Sequence, residues 1–287
     1  MRNSEKNNSG DDNMKKIFII LATILTMTAC STSPDSTEMQ NVGGNNVKPA
    51  SSNIEIDYSA FNNSKKCWGQ GYNVNEKNQP ISSIEYNNLY GKYDAYFIGK
   101  KDKCIYLTFD EGYENGYTSQ ILDVLKNKKV SAVFFVTYDY VKRNDDIIKR
   151  MINEGHIVGN HSWSHPSMPD LTVENCELEI TKLHDYMLEN YNYEMKYIRP
   201  PRGEFSERTL AITKNLRYKT ILWSFAYKDY DINNQPDKSK AFDRVANSVH
   251  DGAIYLLHAV SKTNAEILSD VIDEWRNKGF TVSRLDI

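Results

Sequence analysis

From Cys104 onward the chain repeats one unit, a short β-favouring run followed by a helical stretch. The runs fall at 104–109, 131–136, 156–160, 196–199, 219–223, 253–257 and 281–285. Helices are expected between most of them, at about 117–128, 144–154, 173–191, 206–216, 239–249 and 264–278. Strands that alternate with helices in this way imply a parallel sheet with helical crossovers, an α/β fold. The clearest helix carries Val173, Cys176, Ile180, Leu183 and Met187 at three- and four-residue spacing, one apolar stripe. The last helix opens on a capping box, Thr263 to Glu266, and stops at Gly279. Periodicity leaves open whether seven strands close into a barrel or stay an open sheet.

The polar residues that interrupt this pattern fall at one place in each unit. The run Tyr106-Leu-Thr-Phe-Asp-Glu-Gly112 ends abruptly in two adjacent carboxylates, Asp110 and Glu111. Side by side they repel each other, so a cation, an arginine or a proton must lie near. His161 follows the third run, Arg199 ends the fourth, Asp229 lies beyond the fifth and His258 ends the sixth. All sit at the carboxyl ends of strands, the face on which parallel α/β folds carry their sites. His161 and His165 are four apart, a spacing that would share one helical face. Pro166 follows directly and disfavours the α region for His165, so the pair belongs on a loop, still close enough to hold one metal ion. Each residue also has a plain structural reading. A histidine pair can be hydrogen-bonded core, Arg199 can cap a strand end, Asp229 lies in a polar run, and His258 can be satisfied by backbone.

A formal charge of −3 over 287 residues gives no footprint for nucleic acid. The 19 tyrosines could mean carbohydrate-stacking surfaces, but with Asn, Lys and Ile also frequent they are better read as the composition of an AT-rich genome. Lys15-Lys16 precede an apolar run, Ile17 to Met27, that ends at Thr28-Ala29-Cys30. This is the charged start, short apolar core and small-residue cleavage site of a secretory signal, with Met14 a candidate start. Cys30 after Ala29 resembles a bacterial lipobox, which implies diacylglycerol on Cys30 and a chain anchored at the outer face of a bacterial membrane. With Cys30 lipidated, the remaining Cys67, Cys104 and Cys176 are an odd set and form no disulfide framework. The expected organisation is a signal peptide at 1–30, a polar tether at 31–56, an irregular N-terminal wrap at 57–103 and a catalytic domain at 104–287.

Thr108-Phe-Asp110, His161-x-x-x-His165, Arg199-Pro-Pro-Arg-Gly203 and Leu256-Leu-His258 resemble, in order, the motifs of the polysaccharide deacetylases, the NodB-homology or carbohydrate esterase family four enzymes. The resemblance covers roughly 104–285 and implies a distorted (β/α)7 barrel that removes acetyl groups from N-acetylated sugars with the help of a metal. Tyr106 to Tyr117, Gly159-Asn-His-Ser162 and Gly252 to His258, with Ser261 and Asn264-Ala265, are similar to the spore-cortex N-acetylmuramic acid deacetylases. Trp68-Gly69 and Tyr93-Asp94 extend that likeness upstream. Those enzymes act on muramic acid freed of its peptide, and the product can cyclise to muramic δ-lactam.

The resemblance implies that Asp110 is the general base and that His161 and His165 bind a divalent metal. It implies that Arg199 orients Asp110, that His258 is the general acid and that Asp229 supports His258. Backbone N–H groups after Glu111 would help hold the oxyanion. The main family has Asp-Asp and the muramic subgroup Asp-Asn where this chain has Asp110-Glu111. Glu111 is thus the candidate third metal ligand, on a longer arm than Asp provides. Two histidines and a carboxylate suit Zn²⁺ and other first-row ions. The expected partner is peptidoglycan or a related N-acetylated glycan, with no nucleic acid and no obligate protein partner. Deacetylation of N-acetylglucosamine or chitin oligosaccharides is the rival activity. A non-catalytic glycan-binding lipoprotein is the rival of another class.

Overall fold

The structure, a computed structural model, describes residues 56–287. The expected signal peptide, Cys30 and all but the last residue of the tether lie outside the described residues. The first elements are β1 (Lys66–Cys67), α1 (Ile81–Tyr90) and β2 (Ala95–Tyr96). The repeating units follow as β3 (Cys104–Glu111), α2 (Thr118–Lys128), β4 (Val133–Val136), α3 (Tyr138–Arg143), α4 (Asp145–Asn153), β5 (Ile157–Asn160) and α5 (Val173–Tyr191). The chain then forms β6 (Tyr197–Ile198), β7 (Glu204–Phe205), α6 (Glu207–Asn215), β8 (Lys219–Ile221), α7 (Lys238–Asn247), β9 (Ala253–His258), α8 (Lys262–Asn277) and β10 (Thr281–Val282).

The main sheet runs β10-β3-β4-β5-β6-β8-β2, with β9 also paired to β3, and every pairing in it is parallel. One parallel bridge, Phe225 to Tyr255, joins the chain beyond β8 to β9 and completes the circuit. The expectation of a distorted (β/α) barrel is therefore met. A separate antiparallel pair, β1 with β7, ties the N-terminal segment to the chain after β6.

Side chains alternate across each strand, so the barrel has two packing layers. Ile105, Leu107 and Phe109 of β3, Phe134 and Val136 of β4, and Tyr255 and Leu257 of β9 pack outward against the helices. Cys104 and Tyr106, Val133 and Phe135, and Ile254 and Leu256 pack inward. Gly159 in β5 is demanded by this inner layer, because a Cβ there would lie 2.5 Å from the Phe135 ring. The same inner phase brings Asp110 and His258 to the carboxyl end of the barrel, in register with each other across β3 and β9.

The helices follow the apolar stripes closely, and α5 spans the expected 173–191. Two details differ from expectation. Helix α8 begins at Lys262, and its cap is Ser261, whose Oγ accepts from Asn264 N–H at 3.1 Å, rather than Thr263. Helix α3 carries too few residues to show a stripe and was not expected; the Thr137 hydroxyl caps it. The segment 57–103 is more ordered than an irregular wrap, since it supplies a helix and the strand β2 that pairs with β8. Trp68 seats it, donating its indole N–H to the Trp223 carbonyl at 2.9 Å and packing edge-on against Phe97 at 4.6 Å. Cys104 and Cys176 are buried as small core side chains, Cys67 is exposed, and all three are free thiols.

Candidate functional site

Arg199 is the centre around which the polar residues gather. It leaves the end of β6 with its guanidinium wholly buried, and its N–H donates to the Asn160 carbonyl at 3.0 Å. Nε–H donates to the Ile221 carbonyl at 2.9 Å, Nη2–H to the Leu222 carbonyl at 3.1 Å, and Nη1–H to Asp110 Oδ1 at 2.8 Å. The ring of Phe135 lies against its face at 4.3 Å. A planar fork of donors suits this position, because a single ammonium could not reach two carbonyls and a carboxylate at once.

Burial alone would raise the pKa of Asp110. Arg199 outweighs it, with help from His161 and His258, and holds the carboxyl below its ordinary range. Asp110 is therefore ionised, with Oδ1 occupied by Arg199 and Oδ2 turned towards His161 Nε2 at 3.7 Å.

His161 continues the inner phase of β5. Its Nδ1 lies 2.8 Å from the Arg199 carbonyl, which can only accept, so Nδ1 carries the hydrogen and Nε2 keeps its lone pair. Burial lowers its pKa to about 4, so the ring is neutral. His165 stands on a loop, as expected for the residue before Pro166, with its backbone in the left-handed region at φ 60°. Its N–H donates to Ser162 Oγ at 2.9 Å, and Ser162 N–H donates to Asn160 Oδ1 at 2.8 Å. This turn brings the two imidazole centroids to 4.9 Å. Burial lowers the pKa of His165 as well.

His258 and Asp229 form a second hydrogen-bonded pair. His258 Nδ1 is 2.7 Å from Asp229 Oδ1, and its backbone N–H donates to Asp229 Oδ2 at 2.9 Å. Burial works against the charged imidazole, but the Asp229 carboxylate more than offsets it and raises the pKa of His258. The Asp231 carboxylate, two residues on, accepts from Asn233 N–H at 3.1 Å instead, so Asp229 is the carboxylate brought to the histidine. Sequence reasoning did not single out what holds Asp229. Asn264 donates from Nδ2 to Asp229 Oδ2 at 2.6 Å and to the His258 carbonyl at 3.1 Å, and Tyr227 OH donates to Asn264 Oδ1. The Asn264-Ala265 likeness was the one signal of this in the sequence.

Asp110, His161, His165 and His258 open on a cavity of about 420 Å³ that Gly112, Tyr113, Trp163 and Tyr230 also line. Trp163 is stacked on Tyr138 at 3.5 Å, which fixes its face at the cavity edge. Glu111 is not part of this wall. It belongs to the outer phase of β3, is fully buried, and neither carboxylate oxygen has a hydrogen-bond partner. Burial, then Glu114 and Asp110, raises its pKa well above the ordinary value, which favours the neutral acid.

Among the described residues no three His, Cys, Asp or Glu side chains are grouped to hold a metal ion. The histidine pair nevertheless fits two positions of a divalent site. Both rings are driven towards the neutral form, and the tautomer of His161 leaves Nε2 free beside Asp110. The structure does not bring Glu111 to them.

The family model described as Polysaccharide deacetylase matches residues 98–221. The peptidoglycan-N-acetylmuramic acid deacetylase PdaA of Bacillus subtilis is 45% identical over 221 residues, covering 76% of this chain and 84% of that protein. The solved structure of Bacillus subtilis PdaA, a family 4 carbohydrate esterase, superposes with a TM-score of 0.74 at 44% identity, covering 78% of this chain and 96% of that one. A family 4 carbohydrate esterase from Bacillus anthracis superposes at 0.66 with 43% identity, covering 79% of this chain and 97% of the other.

Proposed function

The chain belongs to the polysaccharide deacetylase family, hydrolases of amide bonds, and on that premise we propose that it removes the N-acetyl group of muramic acid in peptidoglycan glycan strands. One observation carries the assignment of roles: Asp110 and His258 face one cavity, an ionised carboxylate held by Arg199 beside an imidazole whose proton Asp229 stabilises. A proton acceptor and a proton donor on one cavity wall are what amide hydrolysis needs.

In this reading Asp110 Oδ2 takes a proton from the attacking water while Arg199 keeps the carboxylate ionised and aimed. Water oxygen bonds to the acetyl carbon, and the N–H of Gly112 at the cavity edge helps hold the oxygen on which negative charge develops. His258 Nε2, protonated, gives its proton to the sugar nitrogen as the C–N bond breaks. The products are acetate and a free amine. His161 and His165 would hold a divalent cation, which when bound supplies Lewis acidity to the carbonyl and the water. Family 4 enzymes are generally metal-dependent; Zn²⁺ is the expected ion, from the softness of two imidazoles. Where the muramic lactyl group carries no peptide, the freed amine lies next to its carboxyl, and loss of water would close the δ-lactam.

Export, with lipid on Cys30 and the catalytic domain held beyond a tether, completes the reading. Acetate release from peptide-free and peptide-bearing glycan, with metal titration, tests it. Mass spectrometry of the digested products should show muramic residues deacetylated. Acetate lost only from glucosamine residues would overturn the muramic assignment, and glycan binding with no acetate release under any metal would favour a binding protein.

A further inference from the structure

Beside the catalytic cavity lies a larger one of about 860 Å³. Gln70 and Tyr72, from the segment before the barrel, form one wall, and Trp223, Lys228, Tyr230 and Arg244 line the rest. Tyr230 borders both cavities, so they share a wall. The wall between segment and barrel is built firmly. Gln70 accepts from the Trp223 indole N–H at 3.0 Å and donates to the Ala226 carbonyl at 3.0 Å. Its surface, by contrast, is left open. Tyr72 is 89% exposed and Tyr230 55%, two large aromatic faces that the core does not use.

The charges of this cavity are one-sided. No carboxylate lines it, and among the described residues neither Lys228 nor Arg244 makes an ion pair or a side-chain hydrogen bond, although both are exposed cations. Other exposed cations do take carboxylate partners, as Arg143 does with Asp139 and Lys149 with Asp145. Aromatic faces suit the apolar side of a sugar ring, and free cations suit a carboxylate. A strand made only of N-acetylglucosamine offers no carboxylate. A peptide-free muramic residue offers one on its lactyl group.

We propose that this cavity binds a carboxylate-bearing sugar of the same glycan strand, the muramic unit separated by one glucosamine from the reacting one, with its ring against Tyr72 and Tyr230 and its carboxylate on Lys228 and Arg244. The proposal rests on the reading of peptidoglycan as substrate and adds to it a means of selection. Peptide-free strands would be preferred because amidation by a stem peptide removes the lactyl charge.

The test uses the full chain with a peptide-free tetrasaccharide of alternating glucosamine and muramic units. Its lactyl groups are prepared either as free carboxylates or as carboxamides, and binding is measured by calorimetry on the Asp110→Asn background, which blocks turnover. The carboxylate form should bind about tenfold more tightly at low salt, as a charge-assisted contact gives, and the preference should shrink as salt is added. Lys228→Gln with Arg244→Gln should abolish the preference and leave the affinity for a neutral chitin oligosaccharide unchanged. Equal affinity for the two forms, no binding of either, or a preference that survives both substitutions would overturn the proposal. Acetate release by the unsubstituted chain is scored separately. Its absence, with the preference intact, would refute the deacetylase reading and leave the cavity assignment standing.

Discussion

Asp110 and Glu111 are neighbours in sequence, yet their side chains lie on opposite faces of one strand. Asp110 is turned into the barrel, where Arg199 donates to it at 2.8 Å. Glu111 is turned into the helix layer, fully buried and without a hydrogen-bond partner. The repulsion expected of two adjacent acids is relieved in two ways, by a guanidinium on one side and by a retained proton on the other.

That division predicts the behaviour of Glu111→Gln. A raised folded-state pKa in an acid contributes stability that is fully present below the unfolded value, 4.5, and is lost as pH rises through the raised one. Gln cannot ionise, so Glu111→Gln should gain on the unsubstituted chain as pH is raised from 5 to 9, in thermal unfolding. Metal affinity should stay within about twofold, whereas His161→Gln or His165→Gln should lower it by about 100-fold or more. A large loss of metal in Glu111→Gln would place its carboxylate in the metal site after all.

The sequence made the inward residues legible and the outward ones not. Asp110, His161, Arg199, Asp229 and His258 each stand at or beyond a strand end, where a polar residue breaks an apolar run. The direction of Glu111 was hidden because β3 is buried on both faces. Such a strand reads as a continuous apolar run with no visible alternation. Strand β2 is two residues long and pairs only with β8, so nothing local marks it. The role of Asn264 depends on Asp229, 35 residues away, a contact that exists only after the barrel closes.

Removing Arg199 should be costly in a way that removing a surface arginine is not. Arg199→Met leaves a buried carboxylate and two backbone carbonyls without their donors. A loss of about 3–5 kcal/mol in denaturant unfolding is expected. Arg199→Lys keeps the charge but cannot serve all three acceptors, so it should recover part of the stability only. Asp110→Asn can still accept from Arg199 and should fold, with kcat lower by about 10²–10⁴-fold as for loss of a general base. If Arg199→Met unfolds at the same denaturant concentration as the parent, the pair does not anchor the barrel.

As the proposed general acid and its support, His258 and Asp229 should set the alkaline limb of activity. The raised pKa of His258 keeps the imidazolium populated above the ordinary 6.5, so kcat should fall only as pH passes through that higher value. Stability carries the same sign. The pair's contribution is complete below the unfolded pKa and is lost as pH rises through the folded one. Asp229→Asn removes the stabilising charge, so the alkaline limb should move to lower pH. An unmoved limb would assign the acid role to another group.

His156 and His250 predict an acid-labile fold independent of catalysis. Burial lowers both to about 4 from an ordinary 6.5. His250 Nε2 lies 2.7 Å from Ser224 Oγ, and His156 Nδ1 accepts from Ala132 N–H at 3.2 Å, so both are held neutral. A depressed folded pKa gives stability that is present above 6.5 and lost as pH falls through about 4. His250→Gln, which keeps polar contact without a charge to acquire, should flatten the loss of stability between pH 6.5 and 4. A pH dependence identical to that of the parent would remove His250 from this account.

The segment 57–103 should prove inseparable from the barrel, and Gly252 offers the way to show it. Gly99 N–H donates to the Gly252 carbonyl at 2.7 Å just before β9 begins. Gly252 has φ 73°, and a Cβ there would stand 2.2 Å from the Gly99 carbonyl oxygen. Ala at 252 therefore meets both a backbone conformation it resists and a backbone atom that cannot move aside. The strand it feeds carries His258, so a shift there would reach the site. Gly252→Ala should lower stability by about 2 kcal/mol or more and reduce kcat even though residue 252 touches no substrate. Deleting 57–103 should go further, since it strips β2 from β8 and uncovers the face of Trp223 that Trp68 and Gln70 hold. Circular dichroism of both variants is the check. A deletion variant that keeps a cooperative unfolding transition at the parent temperature would show instead that the barrel folds alone and that the N-terminal segment merely rests on it.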